Sequence, residues 1–340
     1  MAKEASIAFG RSGIFNMFLL AVEERYGNFF QQVNLPQSLF IDPMRPMPLS
    51  EMTRYFGVLE QSIDDPLFVA RASANIKLQH FPPLRAITQS TPTLFTAVRR
   101  MTALARIIQT GCKVRTTIGH TQTRWCYNTQ IPVVSERLLD GIVAAWLFIH
   151  LLRSYLGADY APDTLQLPGS RLGEEGEMES IFGCNIAWNS KQTEVHFPSE
   201  KLQHCIPINP AFLKSQRSNQ VFSLDYIDLP EETDFARCAY ELINYARAFG
   251  YPKLEFIADI LMISPLTLQR KLQKEQLSFS ELVKYQLLFN LAPEMLLRGH
   301  SEQDIASELG FSNPQSFSKA FKKAHQQTPR QYTQHLEDFL

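Results

Sequence analysis

A short block of sequence occurs twice in the last third of the chain, and this repeat restricts the fold more than any other feature. Ile257-Ala258-x-x-Leu261-x-Ile263-Ser264 aligns with Ile305-Ala306-x-x-Leu309-x-Phe311-Ser312 at a constant spacing of 48 residues. Leu268-Gln269-Arg270-x-Leu272 then aligns with Phe317-Ser318-Lys319-x-Phe321 at a spacing of 49, so the second copy carries one extra residue at its turn. A fixed period of this kind marks one supersecondary unit used twice. Each copy has a physical logic. A small Ala lets two helices approach closely, and an apolar residue follows one turn later. A turn ends in Ser264 or Ser312, whose hydroxyl is expected to cap the next helix. Pro265 falls at a first helical position, where its missing N–H costs nothing. The second helix buries Leu268 and Leu272, or Phe317 and Phe321, at i and i+4. Its other face is left to Gln269, Arg270, Gln315, Ser318 and Lys319. That is the helix-turn-helix pattern, whose second helix enters the major groove of DNA.

The surrounding sequence reads as helix throughout: 235–249, 254–261, 265–275, 279–298, 302–309, 314–324 and a last helix from Pro329. The first helix-turn-helix therefore covers about 254–275, the connecting helix 279–298 and the second motif about 302–324. A connecting helix of that length spans roughly 30 Å. Successive major-groove faces on one side of B-DNA lie about 34 Å apart, so two recognition helices joined this way are expected to read adjacent turns from one monomer. Charge placement agrees. Residues 252–340 carry ten Lys+Arg and ten Asp+Glu. The cations gather at the recognition helices, with Arg270, Lys271 and Lys274 on one and Lys319, Lys322 and Lys323 on the other. Moderate phosphate affinity with a shallow salt dependence follows.

The rest of the chain has a different character. Residues 1–212 read as an α+β domain and 213–234, polar and irregular at both ends, as a linker to an all-α domain at 235–340. Helices are expected at 14–32, from Ser50 to about 63, at 91–109 with Pro92 in its first turn, at 136–156 and around 174–182. Asp42 to Pro48 reads as loop. Val114–Ile118 and Thr123–Thr129 are rich in β-formers and flank Gly119-His120-Thr121-Gln122, which predicts a hairpin. Short strands are expected at 164–167, 186–188 and 193–197. The apolar run 138–152 contains Asp140, Gly141 and His150 and is shorter than the ~20 residues a membrane span needs, so it reads as a buried helix. Trp125, Trp146, Phe148 and Trp188 read as core, with an aromatic or fatty ligand as the alternative use. The five cysteines are scattered and odd in number, as expected of free thiols in a reducing cytoplasm.

Gly310-Phe311-Ser312, Phe317-Ser318-Lys319-Ala320-Phe321-Lys322 and Thr328-Pro329-x-x-Tyr332 resemble the signature of AraC/XylS-type regulators. Ser264-Pro265-x-Thr267-Leu268-Gln269-Arg270-x-Leu272 fits the same family. The resemblance covers about a hundred residues and implies a bacterial activator or repressor of transcription, with double-stranded promoter DNA and RNA polymerase as partners. By motif position it places the base-contacting residues at Leu266, Gln269 and Arg270 in the first recognition helix, beside Thr267, and at Pro314, Gln315, Ser318 and Lys319 in the second. Arg and Lys suit guanine O6/N7 and Gln suits adenine N6/N7, whereas Leu266 suits only a thymine methyl. Pro314 reads as a helix-start device. This chain departs from the family pattern at Met262 and Gln326, which stand where glycine is usual. Residues 287–289 occupy the usual place of an arginine, and Pro293 is expected to kink the connecting helix. The N-terminal part is similar to the sensing domain of ornithine-utilisation-type regulators in Pro48-Leu49-Ser50, Ser90-Thr91-Pro92-Thr93-Leu94, Ile181-Phe182-Gly183-Cys184 and Val195-His196-Phe197. That likeness implies a small-molecule effector and a homodimer contact, without the Gly and Pro spacing of a cupin barrel.

Other function classes fare worse. No Gly-x-Gly-x-x-Gly, P-loop or Gly-x-Ser-x-Gly is present, so no enzyme and no cofactor is expected. Cys184, His196, His204 and Cys205 match no zinc spacing and read as two satisfied histidines and two buried thiols. An architectural protein, or an effector-independent DNA binder whose N-terminal domain only oligomerises, is the alternative. The polar, basic faces of the two recognition helices favour DNA over a protein groove.

Overall fold

The most apolar run of the sequence becomes the longest helix. Val134–Leu156 buries one residue after another along its length, from Leu138 through Trp146 and Phe148 to Tyr155. It extends beyond the run that defines it and is long and apolar enough to cross a membrane, so length does not decide its role; its burial among the other elements does. The computed structural model describes residues 7–27, 35–207 and 228–337. The chain divides into two compact units, Met1–Thr233 and Asp234–Leu340. Residues 213–227 of the expected linker, and 28–32 of the expected first helix, lie outside the described residues.

The first unit is an α+β fold. Seven strands are described: β1 Phe9–Arg11, β2 Pro46–Pro48, β3 Cys112–Ile118, β4 Gln122–Thr129, β5 Thr164–Gln166, β6 Asn185–Ala187 and β7 Thr193–Pro198. Strands β3, β4, β7, β5 and β6 lie side by side in that order, antiparallel except for the parallel pair β5 and β6. Its helices are α1 Ser12–Tyr26, α2 Leu49–Ser62, α3 Phe68–Ser73, α4 Pro82–Ser90, α5 Leu94–Ile108, α6 Val134–Leu156 and α7 Glu177–Phe182. The period of two in β4 puts Thr123, Trp125, Tyr127 and Thr129 on the buried face and Arg124 and Asn128 on the other. Thr193, Val195 and Phe197 of β7 continue that buried face. Helix α6 lies on these two strands, with Phe148 stacked on Trp125 at a centroid distance of 4.5 Å. Gly141 permits the close approach: a Cβ there would run into the Thr193 hydroxyl.

Several expectations need correction. Pro46–Pro48 is a strand and not loop; it pairs with β1 in a two-stranded ribbon at a sheet edge, where proline costs no ladder bond. Pro92 precedes its helix. Thr93 is the N-cap, its hydroxyl accepting from the Thr96 amide at 3.2 Å, so Thr91 and Pro92 stay extended. The polar helix around 174–182 begins only at Glu177, because Gly173 and Gly176 adopt positive φ. Helices α3 and α4 have no expectation above. Trp125, Trp146 and Phe148 are core, whereas Trp188 is half-buried. The thiols of the four-residue Cys/His set are not both buried: Cys184 is half-buried and Cys205 exposed. His196 bonds Glu194 at 2.8 Å, and among the described residues no three His, Cys, Asp or Glu converge as metal ligands do.

The second unit is helical throughout. Its elements are α8 Phe235–Ala246, α9 Leu254–Ile260, α10 Pro265–Lys274, α11 Phe279–Gln286, a π-helical turn Leu287–Leu291, α12 Ala292–Leu297, α13 Glu302–Glu308, α14 Pro314–His325 and α15 Pro329–Glu337. Small polar residues start five of them. Asp234, Ser264, Ser278, Ser301 and Asn313 each accept from the amide three residues on. Ser278 and Ser301 also reach the carboxylates of Glu281 and Asp304, at 2.6 Å each. The buried residues Ile257, Ala258, Leu268 and Leu272 in one half, and Ile305, Ala306, Phe317 and Phe321 in the other, form the core.

Candidate nucleic-acid interface

The two repeats fold alike down to individual hydrogen bonds. In the first, helix α9 ends with Met262 at φ +53°, its amide bonded to the Asp259 carbonyl, while the Ile263 amide reaches back to the Ala258 carbonyl at 3.0 Å. In the second, helix α13 ends with Gly310 at φ +72°. Its amide bonds Ser307, and the Phe311 amide reaches back to the Ala306 carbonyl at 2.8 Å. Both are Schellman turns, whose left-handed residue favours glycine. Met262 therefore sits in the conformation its missing glycine would have taken.

The extra residue of the second copy changes which side chain caps. Ser264 caps α10, accepting from Thr267 at 3.1 Å. The expectation that Ser312 does the same in the second copy is wrong. Asn313 is the cap, accepting from Ser316 at 2.8 Å, because a shift of 49 brings Asn313 and not Ser312 into the place of Ser264. Pro265 and Pro314 then both occupy the first turn of their helices.

This shared register fixes what each recognition helix displays. Leu268 and Leu272 are buried in α10; Phe317 and Phe321 are buried in α14. Arg270 and Lys319 each stand two residues after the first of these and so lie opposite the buried pair on the helix. Both are exposed, as are Leu266, Thr267, Gln269, Lys274, Gln315, Lys322 and Lys323. Ser318 and Pro314 are half-buried. Lys271 is set apart. It is half-buried, with its ammonium 5.3 Å from the centre of the Phe235 ring, so it serves in part to hold α8 to α10. Neither recognition helix contains an acidic residue. Among the described residues Arg270, Lys274, Lys319, Lys322 and Lys323 enter no ion pair, which leaves their charge available to a polyanion.

The connecting segment is continuous and irregular. Pro293 has no amide to give, and in a regular helix its ring would meet the carbonyl of Phe289. The chain answers with a π-helical turn over Leu287–Leu291, in which the Ala292 amide bonds the Leu287 carbonyl. The backbone at Gln286, Leu291 and Ala292 stays in the right-handed helical region, so the segment is not broken. This shift deprives the Leu288 carbonyl of a backbone donor. Its partner in an α register is Ala292, now committed elsewhere, and in a π register Pro293, which has no N–H. His325, at the end of α14, donates its Nε2–H to that carbonyl at 2.9 Å. A carbonyl only accepts, so the proton is on Nε2. His325 also stacks on Phe321 at 4.2 Å and lies 4.9 Å from Phe289 and 5.1 Å from Tyr332, measured between ring centres. The second recognition helix is thereby held to the connecting segment by a residue absent from the expectations above. The proline inside a helical run was the sequence signal: it orphans a carbonyl, and some side chain has to supply a donor.

The other side of the connecting segment is tied to α8. Gln286 is fully buried and donates to the Tyr240 carbonyl at 3.3 Å, and Asn290 donates to the Tyr240 hydroxyl at 2.9 Å. Arg247 and Arg298 both pair with Glu294, at 3.5 and 2.7 Å.

Two protein-family models match the chain. Residues 26–205 match the family described as the arabinose-binding domain of AraC transcription regulator, N-terminal, and residues 257–335 match a helix-turn-helix domain family. The chain is 21% identical to the HTH-type transcriptional regulator VirS of Mycobacterium tuberculosis over 317 residues, 89% of each protein. Among solved structures, the transcriptional regulator CdpR from Pseudomonas aeruginosa is 18% identical, with a TM-score of 0.44 over 95% of this chain and 97% of that one. A DNA-binding transcriptional dual regulator from Escherichia coli K-12 is 26% identical, with a TM-score of 0.26 over 29% of this chain and 89% of that one. The first family match alone spans just over half of the sequence, and the second coincides with the tandem repeat: the chain belongs to the AraC-type transcription regulators and is a DNA-binding protein.

Proposed function

We propose that one copy of the chain reads two successive major-groove segments, with Arg270 and Lys319 as the principal base-contacting residues. The observation that carries this reading is the matched register of α10 and α14, which presents a cation at the same place on two helices joined by one continuous segment. Gln269 and Gln315 add amide groups suited to adenine. Ser318 adds a hydroxyl beside Lys319 that suits a base edge. Thr267, Lys274, Lys322 and Lys323 supply sugar and phosphate contacts, which position the protein without reading sequence. The test is a mobility shift of the purified protein on its own upstream DNA, with salt titration and a random-sequence competitor. Arg270→Ala and Lys319→Ala each lower specific affinity about ten- to a hundredfold. Specific binding unchanged in the double variant would overturn the assignment.

A small molecule bound in the first unit controls this binding. The support is the match of residues 26–205 to a family described as ligand-binding. Control of this kind requires the effector to bind two states of the protein with different affinity. A ligand that binds and leaves DNA affinity unchanged would refute it. The same reading makes RNA polymerase and a second copy of the chain partners of the DNA complex, and the cytoplasm its compartment.

A further inference from the structure

The first unit contains a cleft whose chemistry is at odds with a purely structural role. It lies between α1, α5, α6 and the β3–β4 hairpin, with walls of Ile14, Met101, Val114, Trp125 and Leu147. Its lining is predominantly apolar, yet Asp140, Tyr127, Gln109 and Cys112 meet within it. Gln109 Nε2 donates to the Tyr127 hydroxyl at 2.7 Å, and that hydroxyl donates to Asp140 Oδ2 at 2.6 Å. No Lys or Arg pairs with Asp140 among the described residues. A carboxylate offers about four lone-pair sites, and this network uses only part of them. An apolar cleft around a few convergent polar groups is the usual form of a small-molecule site. A carboxylate there without a counter-cation is costly, and a ligand cation would offset the cost.

We infer that this cleft is the ligand site of the first unit, and that it takes a small apolar amine whose ammonium pairs with Asp140 and whose hydrocarbon stem lies against Trp125 and Leu147. The enclosed space is about 60 Å³. The cleft is not closed, and Ile14, Ala105, Val114 and Ala144 on its walls are only partly buried, so a larger apolar body extends out of it. Trp125 and Tyr127 stack at 6.2 Å between centres and offer aromatic surface that suits a cation as well as a hydrocarbon. Burial pushes the Asp140 carboxyl up to about 6, so the group is ionised at neutral pH and loses its charge just below it. The titratable groups that interact with it stay neutral over that range: burial raises the Tyr127 phenol well above its ordinary value and the Cys112 thiol to about 12.

The inference rests on the reading of the first unit as the ligand-binding part, and its test separates the two. Butylamine, hexylamine and phenethylamine are titrated into the full-length protein without DNA and followed by tryptophan fluorescence, beside the matching alcohols and carboxylates. At least one amine binds ten or more times tighter than its alcohol and its acid, and its affinity falls as the pH drops below about 6. Asp140→Asn abolishes that preference. Ala144→Phe, which fills the cleft and leaves Asp140 in place, weakens all binding, and both variants keep the wild-type circular dichroism. Lack of amine preference across the series, or an amine preference that survives Asp140→Asn, overturns the site. An amine that binds in this way without altering DNA affinity confirms the site and refutes effector control. An unrelated compound that alters DNA affinity while no amine binds does the reverse.

Discussion

The two helix-turn-helix copies reach one backbone by different side chains. The first turns on Met262, caps with Ser264 and packs aliphatic Leu268 and Leu272. The second turns on Gly310, caps with Asn313 and packs Phe317, Phe321, His325 and Tyr332 ring against ring. What persists across the copies is the register of the recognition helix: a cap, a proline, a buried pair four residues apart and a cation between them. What differs is how each recognition helix is anchored. The first is held to α8, partly through Lys271 on Phe235. The second is held to the π-helical turn of the connecting segment through His325. The face that each recognition helix displays is thus the same in both copies, while the packing behind it differs.

Core truncation gives the largest contrast. Phe321→Ala removes the ring at the centre of the aromatic stack and is expected to cost about 3–5 kcal/mol; Leu272→Ala, its counterpart, should cost about 2–5 kcal/mol and fall lower in that range where its site can collapse. All three tryptophans are in the first unit, at positions 125, 146 and 188. Urea unfolding should therefore show the helical circular dichroism of the second unit lost early in Phe321→Ala, with the tryptophan transition in place. Movement of both transitions together would mean that the aromatic cluster supports more than its own unit.

His325→Ala is expected next, at about 1–3 kcal/mol, since it leaves the Leu288 carbonyl without a donor. No residue of the first copy should reproduce that effect. Its specific signature is on DNA: contacts made by α14 weaken and those of α10 persist. An equal loss at both would contradict a local tether.

The caps should behave alike. Ser264→Ala and Asn313→Ala each cost about 1 kcal/mol, whereas Ser312→Ala costs almost nothing. A large effect at Ser312 would break the register drawn here between the copies.

The smallest effects carry the cleanest sign. Met262 is 87% exposed, so Met262→Gly gives up little packing and relieves a left-handed strain, for a gain of about 0.5 kcal/mol after the added freedom of the unfolded chain. In Gly310→Ala the new Cβ would meet only Tyr251, at 3.8 Å, so the loss is conformational and of similar size. Changes of the same sign in the two variants would refute the equivalence of the turns.

Repetition is what made the second unit legible. Ala258 and Ala306, or Arg270 and Lys319, each mean little alone, and a second occurrence at fixed spacing marks a helix pair as a repeated helix-turn-helix unit. Local rules also placed the hairpin, with strands expected at 114–118 and 123–129 and found at 112–118 and 122–129, and the buried helix after it. Contacts distant in sequence were out of reach. Strands β1 and β2 have three residues each and exist only because they pair. The tether of His325 to Leu288 spans 37 residues. The cleft draws on α1, α5, α6 and two strands, so no segment displays it. Its one local sign is Asp140 inside an apolar helix. A carboxylate in such a stripe is a pointer to a site.

The central claim is that one chain reads DNA twice, and a hydroxyl-radical footprint on a bound upstream fragment tests it most directly. The wild type should protect two segments about one helical turn apart. Arg270→Ala should lose one of them and Lys319→Ala the other, each leaving the remaining segment protected. A single protected segment in the wild type, or loss of the same segment in both variants, would contradict the account.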